Sequence, residues 1–153
     1  MILYLVQHGK AKSKEEDPER PLTDEGRREV ESVLLVLMRY GAVTASRVVH
    51  SGRRRAEETA ALIGTKLDAD VEEADGLAPD DDPAVWAREL ETSQRDLVLV
   101  GHLPHLSRLA GLLLTGDPAR EVVSFANGGV VALARKEGRW SVAWALPPAL
   151  VNE

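Results

Sequence analysis

The chain opens with Ile2-Leu3-Tyr4-Leu5-Val6-Gln7-His8-Gly9, an apolar, β-prone run that stops abruptly at a histidine and a glycine. Five apolar residues of this kind predict a buried strand whose carboxyl end delivers the His8 imidazole to a loop. In open α/β sheets, ligands bind in the crevice beyond the carboxyl ends of the strands. Gly9 would let the backbone turn sharply or approach a ligand closely. On this stretch alone, His8 is equally well interpreted as a functional group or as a residue that merely caps the strand.

Composition limits the classes of function. The 153 residues suit one domain, residues 1–153, with a single sizeable core. The net charge of −6 argues against nonspecific binding of nucleic acid or of an acidic membrane, although local Arg and His residues could still bind a small anion. The absence of cysteine excludes disulfides and thiol catalysis. Because neither a secretory leader nor a membrane-spanning apolar run is visible, we expect a cytoplasmic protein.

Further along the chain, two more apolar runs end in polar residues as the first one does. Residues 47–51 predict a second strand ending at Ser51, and residues 96–100 a third one followed by His102. Together with the elements given below, they predict an α/β fold with three α/β/α layers, a mostly parallel central sheet and a C-terminal hairpin added to it. Those other elements are helices at residues 24–39, 52–63 (closed by Gly64), 83–92 and 105–114, an edge strand at 71–77, and hairpin strands at 130–135 and 139–146.

The strand ends combine into a candidate anion site. If the three strands are parallel neighbours, His8, Ser51 and His102 point into one crevice, and Arg55 follows at the start of a helix. Three consecutive arginines, 53–55, are unusual in a first helical turn, where partial positive charge favours acids; an anion bound there would explain them. Alternatively they are surface arginines paired with nearby glutamates, which we expect in part for Arg53 and Arg54 because adjacent residues on a helix face different ways. An arginine fork suits a phosphoryl dianion, and a neutral histidine can attack phosphorus and become phosphorylated.

Two histidines remain outside this site. His50 precedes Ser51 and faces either the core or an adjacent loop, whereas His105 starts a helix and is expected to be exposed. His102 and His105 are three residues apart, but no third metal ligand is evident. We therefore expect no metal and no cofactor.

The chain carries four motifs in order, which are Gln7-His8-Gly9, Arg20-Pro21-Leu22-Thr23-Asp24-Glu25-Gly26, Ser51 to Thr59 and Gly101-His102-Leu103-Pro104. These motifs resemble those of the histidine phosphatase (phosphoglycerate-mutase-like) superfamily. The short length, the Leu77-Ala78-Pro79 segment and the Asn127-Gly128-Gly129 ending are most similar to its SixA phosphohistidine phosphatase branch. The resemblance runs from Met1 to about Leu146.

The resemblance implies roles for individual residues. It makes His8 the nucleophile and places Arg55 and His102 with it in the phosphate pocket. Arg54 matches no pocket position. Four further residues are implied to bind substrate in or around the pocket: Gln7, Gly9, Arg20 and Ser51.

The implied activity is that of a metal-independent phosphatase that forms a phosphohistidine at His8. Its substrate would be phosphohistidine on a partner protein, and inorganic phosphate would be released. The sequence offers no well-placed glutamate at residues 72–82 to protonate an alkoxide, which fits a phosphoramidate substrate because its leaving imidazole departs more easily. A small-molecule phosphomonoesterase using the same site is the alternative.

Gln7 motivates a third possibility. The family's opening motif is Arg-His-Gly, so this chain has a neutral amide where the resemblance implies a guanidinium. Loss of a buried charged donor costs roughly 2–4 kcal/mol of transition-state stabilisation, unless Lys10 or Arg20 restores the charge. The chain could then be a catalytically weak phosphate-binding module. Gly52, where the family usually has proline, and Lys10-Ala11, where many members have an acid, are further departures.

Overall fold

The computed structural model describes residues 1–151. Within them, six strands form one sheet, and four α-helices and a short 3-10 helix connect or follow the strands. The strands are β1 (Ile2–Gln7), β2 (Arg47–His50), β3 (Asp70–Glu73), β4 (Leu97–Gly101), β5 (Val130–Lys136) and β6 (Arg139–Leu146). The helices are α1 (Asp24–Arg39), α2 (Arg54–Leu67), α3 (Ala84–Thr92), α4 (His105–Thr115) and the 3-10 helix Pro148–Leu150.

The strand order in the sheet is β3-β2-β4-β1-β5-β6. The first four strands are parallel, and the hairpin of β5 and β6 adds to β1 in the antiparallel sense. β4 lies between β1 and β2, with Gln7 opposite Gly101 and His50 opposite Val100. The carboxyl ends of these three strands are therefore adjacent, and the predicted mostly parallel sheet with a C-terminal hairpin is confirmed.

Helices cover both faces of the sheet, which gives the predicted three layers. Successive side chains of β1 alternate between two cores, as the pleat of a strand requires. Tyr4 and Val6 pack in the core formed with α1 and α2, while Leu3 and Leu5 pack in the core formed with α3 and α4. Burial on both faces explains why β1 and β4 are continuous apolar runs rather than alternating ones.

The limits of the first two helices have identifiable causes. Thr23 caps α1 by accepting a hydrogen bond from the Gly26 N–H (2.9 Å), and α1 has the predicted limits. The predicted end of α2 at Gly64 is wrong, because the helix continues to Leu67 and ends at Asp68 in the left-handed conformation (φ 52°). Gly64 instead permits close packing, since a Cβ there would lie 2.3 Å from a Val71 methyl group.

Within residues 1–151, no helix is both long and apolar enough to cross a membrane.

Candidate active site

His8 follows β1 directly, and its ring is held in one tautomer. Its backbone N–H donates to the Gly101 carbonyl (3.1 Å), which ties the residue to the end of β4. The ring Nδ1 lies 2.7 Å from the Gly9 carbonyl oxygen. A carbonyl only accepts hydrogen bonds, so Nδ1 carries the hydrogen and Nε2 keeps its lone pair. His8 therefore presents an unprotonated nitrogen at the crevice.

The loop that carries His8 is fixed by residues that the sequence analysis did not assign to the site. The Gly9 N–H donates to the hydroxyl of Thr59 (3.0 Å), which is fully buried in α2. The Asn127 side-chain amide donates to the His8 carbonyl (3.0 Å), and the Gly128 N–H donates to the Gln7 carbonyl (2.9 Å). No sequence pattern indicated these contacts of Asn127 and Gly128, because their partners are more than a hundred residues away in the chain.

Arg55 lies in the first turn of α2 and faces the ring of His8. Its Nε donates to His8 Nε2 across 3.4 Å, which leaves the guanidinium next to the lone pair of the imidazole. Partial burial lowers the pKa of Arg55, and the nearby Arg20 and Arg53 guanidiniums lower it further. Such mutual repulsion among cations is relieved when an anion binds between them.

His102 follows β4 on the other side of the crevice. Its ring centroid lies 5.0 Å from that of His8, and its Nε2 lies 2.6 Å from the hydroxyl oxygen of Ser51. The Arg53 backbone N–H donates to the same hydroxyl oxygen (3.3 Å). His102 Nδ1 is buried and has no hydrogen-bond partner within residues 1–151. The three strand ends thus bring together the predicted residues His8, Ser51 and His102.

Both histidines of the site are neutral near pH 7. Burial lowers the pKa of His8 to about 4, and Arg55 and Arg20 also lower it, against the hydrogen bond to Gly9 that raises it. Burial likewise lowers the pKa of His102 to about 3, with smaller contributions from His8, Arg55 and Arg53. A neutral imidazole at position 8 is the form that can act as a nucleophile.

The remaining predicted site residues, Gln7 and Arg20, flank this group. Gln7 ends β1, and its side-chain oxygen is buried without a hydrogen-bond partner in the described part of the chain. Arg20 has a positive φ of 50°, and its Nε donates to the Lys12 carbonyl (3.0 Å). Its guanidinium lies close enough to His8 to lower the pKa of that imidazole.

The two interpretations of the arginine run each fit part of it. Arg54 forms ion pairs with Glu19 and Glu58, as expected of a surface arginine. Within residues 1–151, neither Arg53 nor Arg55 has a carboxylate partner. Pairing with glutamates thus holds for Arg54 and not for Arg53, and the anion-site interpretation stays a prediction for Arg53 and Arg55.

The loop between β2 and α2 departs from the family pattern in its backbone. Gly52 has φ 88°, which the ring of a proline could not adopt. The Gly52 N–H donates to Nδ1 of the buried His50 (3.1 Å), so His50 holds this loop from beneath. The conformation of Gly52 sets the position of Arg53, the next residue.

The prediction that His105 is exposed is wrong, because its side chain is completely buried. His105 lies one turn before Leu109 on the face of α4 that packs inward. Neither of its ring nitrogens has a hydrogen-bond partner within residues 1–151. The same residues contain no group of three or more His, Cys, Asp or Glu side chains suited to a metal ion.

The comparison with protein families identifies the class of protein. The model of the histidine phosphatase superfamily (branch 1) matches residues 3–79, half of the chain. The chain belongs to this superfamily. A search of curated proteins found no match.

Solved structures share the whole fold. The protein histidine phosphatase SixA complexed with tungstate is 24% identical with a TM-score of 0.86, covering 99% of this chain and 100% of that one. The putative phosphohistidine phosphatase SixA from Nakamurella multipartitia is 26% identical (TM-score 0.67, covering 86% and 83%). A putative alpha-ribazole-5'-P phosphatase from Escherichia coli is 15% identical (TM-score 0.79, covering 97% and 98%). The fold is therefore that of phosphatases described for different substrates.

Proposed function

We propose that the chain is a metal-independent phosphatase that transfers a phosphoryl group to Nε2 of His8 and then to water. The observation that carries this proposal is the tautomer of His8, whose Nδ1–H is held by the Gly9 carbonyl at 2.7 Å. This bond aims the lone pair of Nε2 at the crevice, where Arg55 lies 3.4 Å away. Family membership supports the same reaction.

The proposed reaction has two displacement steps. In the first, His8 Nε2 attacks phosphorus, an N–P bond forms, and the bond from phosphorus to the leaving group breaks. The Nδ1–H keeps donating its hydrogen bond to the Gly9 carbonyl. This hydrogen bond stabilises the positive charge that develops on the ring. In the second step, water attacks the phosphorus and the N–P bond breaks. The phosphate leaves with both hydrogens of the water, and neutral His8 is restored with its lone pair on Nε2. Arg55 stabilises the charge on the phosphoryl oxygens in both steps.

Ser51 and His102 complete the pocket through a shared hydrogen bond. When His102 carries its hydrogen on Nε2, it donates to the Ser51 oxygen, which also accepts from the Arg53 N–H. A hydroxyl has two acceptor positions and one hydrogen, so the Ser51 hydrogen is then free to bind a phosphoryl oxygen. Both groups are neutral donors, which suits a site whose histidines stay uncharged.

For the substrate, we propose phosphohistidine on a partner protein. A phosphorylated imidazole whose other nitrogen is protonated leaves as neutral imidazole, so no strong general acid is needed at the leaving-group side. The fold shared with the protein histidine phosphatase SixA supports this choice. The partner would then be a protein phosphorylated on histidine.

A small phosphate ester is the second candidate, and a groove beside Ser51 favours it. The groove is lined by Ser51, Asp75 and Asp81 among others, so carboxyl groups stand next to the phosphate pocket. One of them could protonate a leaving alkoxide, which an ester requires and a phosphoramidate does not.

The test compares the wild type with His8→Ala on an aryl phosphate, on a histidine-phosphorylated protein and on a sugar phosphate. We expect turnover by the wild type, preference for the phosphorylated protein, and loss of about 10⁴-fold or more in kcat for His8→Ala. A denaturing alkaline quench during turnover should trap a phosphoryl label that is stable in alkali and lost in acid, on the wild type only.

Two results would contradict the proposal. Turnover that survives His8→Ala would exclude His8 as the nucleophile. Binding of phosphate or vanadate without turnover, together with a large gain in rate on Gln7→Arg, would identify a weak phosphate-binding module. A preference for the sugar phosphate would keep the mechanism and replace the substrate class.

A further inference from the structure

The phosphate pocket is short of positive charge. A phosphoryl group carries about −1.5 to −2 charges at pH 7, and Arg55 supplies one positive charge next to His8. His8 and His102 are neutral because burial lowers both of their pKa values. Gln7 has no charge, so its side-chain amide can offer a phosphate only neutral hydrogen bonds. A further cation on the side of Ser51 and His102 would bring the pocket closer to charge balance with a phosphoryl dianion.

Two of the other cations near the pocket are already paired with carboxylates. Lys10 forms ion pairs with Glu25 (2.9 Å) and Glu29 (3.4 Å), and Arg54 is paired with two glutamates. Arg20 lies near His8 and Arg55, whose pKa values it lowers, and its Nε donates to the Lys12 carbonyl. Neither Arg20 nor Arg53 has a carboxylate partner within residues 1–151.

The backbone of Arg53 is bonded directly to the pocket. The positive φ of Gly52 turns the chain so that the Arg53 N–H donates to the Ser51 hydroxyl, which in turn bonds His102 Nε2 at 2.6 Å. Arg53 also occupies the N-cap position of α2, and the amino end of this helix carries partial positive charge next to Ser51. In agreement with this placement, the Arg53 guanidinium lowers the pKa values of both Arg55 and His102.

We propose that Arg53 binds the phosphoryl group and supplies the positive charge that residue 7 lacks. Arg55 then approaches the group from the His8 side, and Arg53 from the side of Ser51 and His102. As a role in catalysis this rests on the proposed function, whereas as a role in anion binding it stands alone.

The first test is binding of inorganic phosphate and of orthovanadate, measured by titration calorimetry. We expect Arg53→Gln to weaken the affinity roughly 10- to 100-fold, because a charge-assisted hydrogen bond and a charge are lost together. The matched control is Arg54→Gln, the next residue, whose guanidinium is already paired; its affinity should stay within about twofold of the wild type. Equal affinities for Arg53→Gln and Arg54→Gln would overturn the proposal.

The second test asks whether Arg53 and residue 7 share one task. Gln7→Arg should raise anion affinity only modestly in the wild type but restore most of the loss in Arg53→Gln, so the two changes are non-additive. Equal gains in both backgrounds would overturn the proposal. So would a rescue by Gln7→Arg that appears in Arg20→Gln and not in Arg53→Gln. Circular dichroism checks that each variant is folded.

The two proposals fail in different ways. If phosphate binding depends on Arg53 but turnover is absent or survives His8→Ala, the proposed function is wrong and the role of Arg53 stands. If turnover requires His8 but Arg53→Gln matches Arg54→Gln in both binding and kcat/KM, the proposed function stands and the role of Arg53 is wrong.

Discussion

At the scale of single residues, His50 and His105 are both buried but differ in what their ring nitrogens contact. His50 Nδ1 accepts the Gly52 N–H and so fixes the loop that carries Arg53. His105 has no partner on either nitrogen within residues 1–151. A buried polar group without a partner costs about 1–3 kcal/mol, whereas a paired one contributes to stability. Burial alone therefore does not decide the energetic role of a histidine.

This contrast predicts opposite effects for the same substitution. His105→Leu should raise the free energy of unfolding by about 1 kcal/mol, because an apolar side chain of similar size removes two unpaired polar atoms. His50→Leu should lower it by about 1–2 kcal/mol, because the Gly52 N–H loses its acceptor. Urea unfolding followed by circular dichroism measures both. A clear loss of stability in His105→Leu would mean that its nitrogens have a partner after all, such as an internal water.

At the scale of elements, the start of α1 holds the His8 loop from below. The Lys10 carbonyl accepts the Thr23 N–H at 2.9 Å, and a Cβ on Gly26 would lie 2.2 Å from that carbonyl oxygen. A Cβ on Gly9 would in turn meet the Gly26 carbonyl at 3.1 Å. The helix and the loop thus approach each other as closely as two glycines allow. The position of His8, the proposed nucleophile, depends on this contact between elements.

Gly26→Ala should therefore destabilise the protein although alanine favours helices. The gain from helix propensity is about 1 kcal/mol, whereas forcing the Lys10 backbone away costs about 1–3 kcal/mol and breaks a hydrogen bond. We expect a net loss of stability together with lower phosphatase activity, since the His8 loop must move. Arg28→Ala, at an exposed position of the same helix, is the control and should change the stability by less than about 0.5 kcal/mol. Equal stabilities of the two variants would contradict the contact.

At the scale of the whole molecule, three of the four histidines couple folding to pH. Burial lowers the pKa of His8 to about 4, that of His102 to about 3, and that of His105 in the same direction. In the unfolded chain each has a pKa of about 6.5. Below that pH the unfolded state binds more protons than the folded state. The stability that depends on these neutral histidines is therefore fully present above about pH 6.5 and is lost as the pH falls towards 3–4.

We expect the free energy of unfolding to fall between pH 7.5 and pH 5, with a slope of up to about 1.4 kcal/mol per pH unit for each histidine. Urea unfolding at several pH values measures the slope. His105→Leu should reduce this slope by the contribution of one histidine. That reduction separates the titration of histidine from the titration of carboxylates at lower pH. A stability that is constant over this range would contradict neutral burial of the histidines.

How far the sequence predicts the molecule depends on the range of the interactions involved. β1 and α1 were predicted from the apolar run at residues 2–6 and from the helical spacing at residues 24–39, because both patterns are local. The end of α2 was predicted wrongly because Gly64 is needed for close packing against the side chain of Val71 in β3, and not for ending the helix. The order of the strands likewise depends on packing between distant segments.

The sequence by itself determined the alternation of strands and helices and the polar residues His8, Ser51 and His102 at three strand ends, since side-chain periodicity and strand termination are local properties of a chain. Only the tertiary structure decided that His105 is buried and that Arg54 is paired with Glu19 and Glu58, while Arg53 has no carboxylate partner within residues 1–151. It also decided that Thr59 and Asn127 hold the His8 loop. These outcomes depend on hydrogen bonds, ion pairs and burial between residues far apart in the chain, which no local pattern encodes.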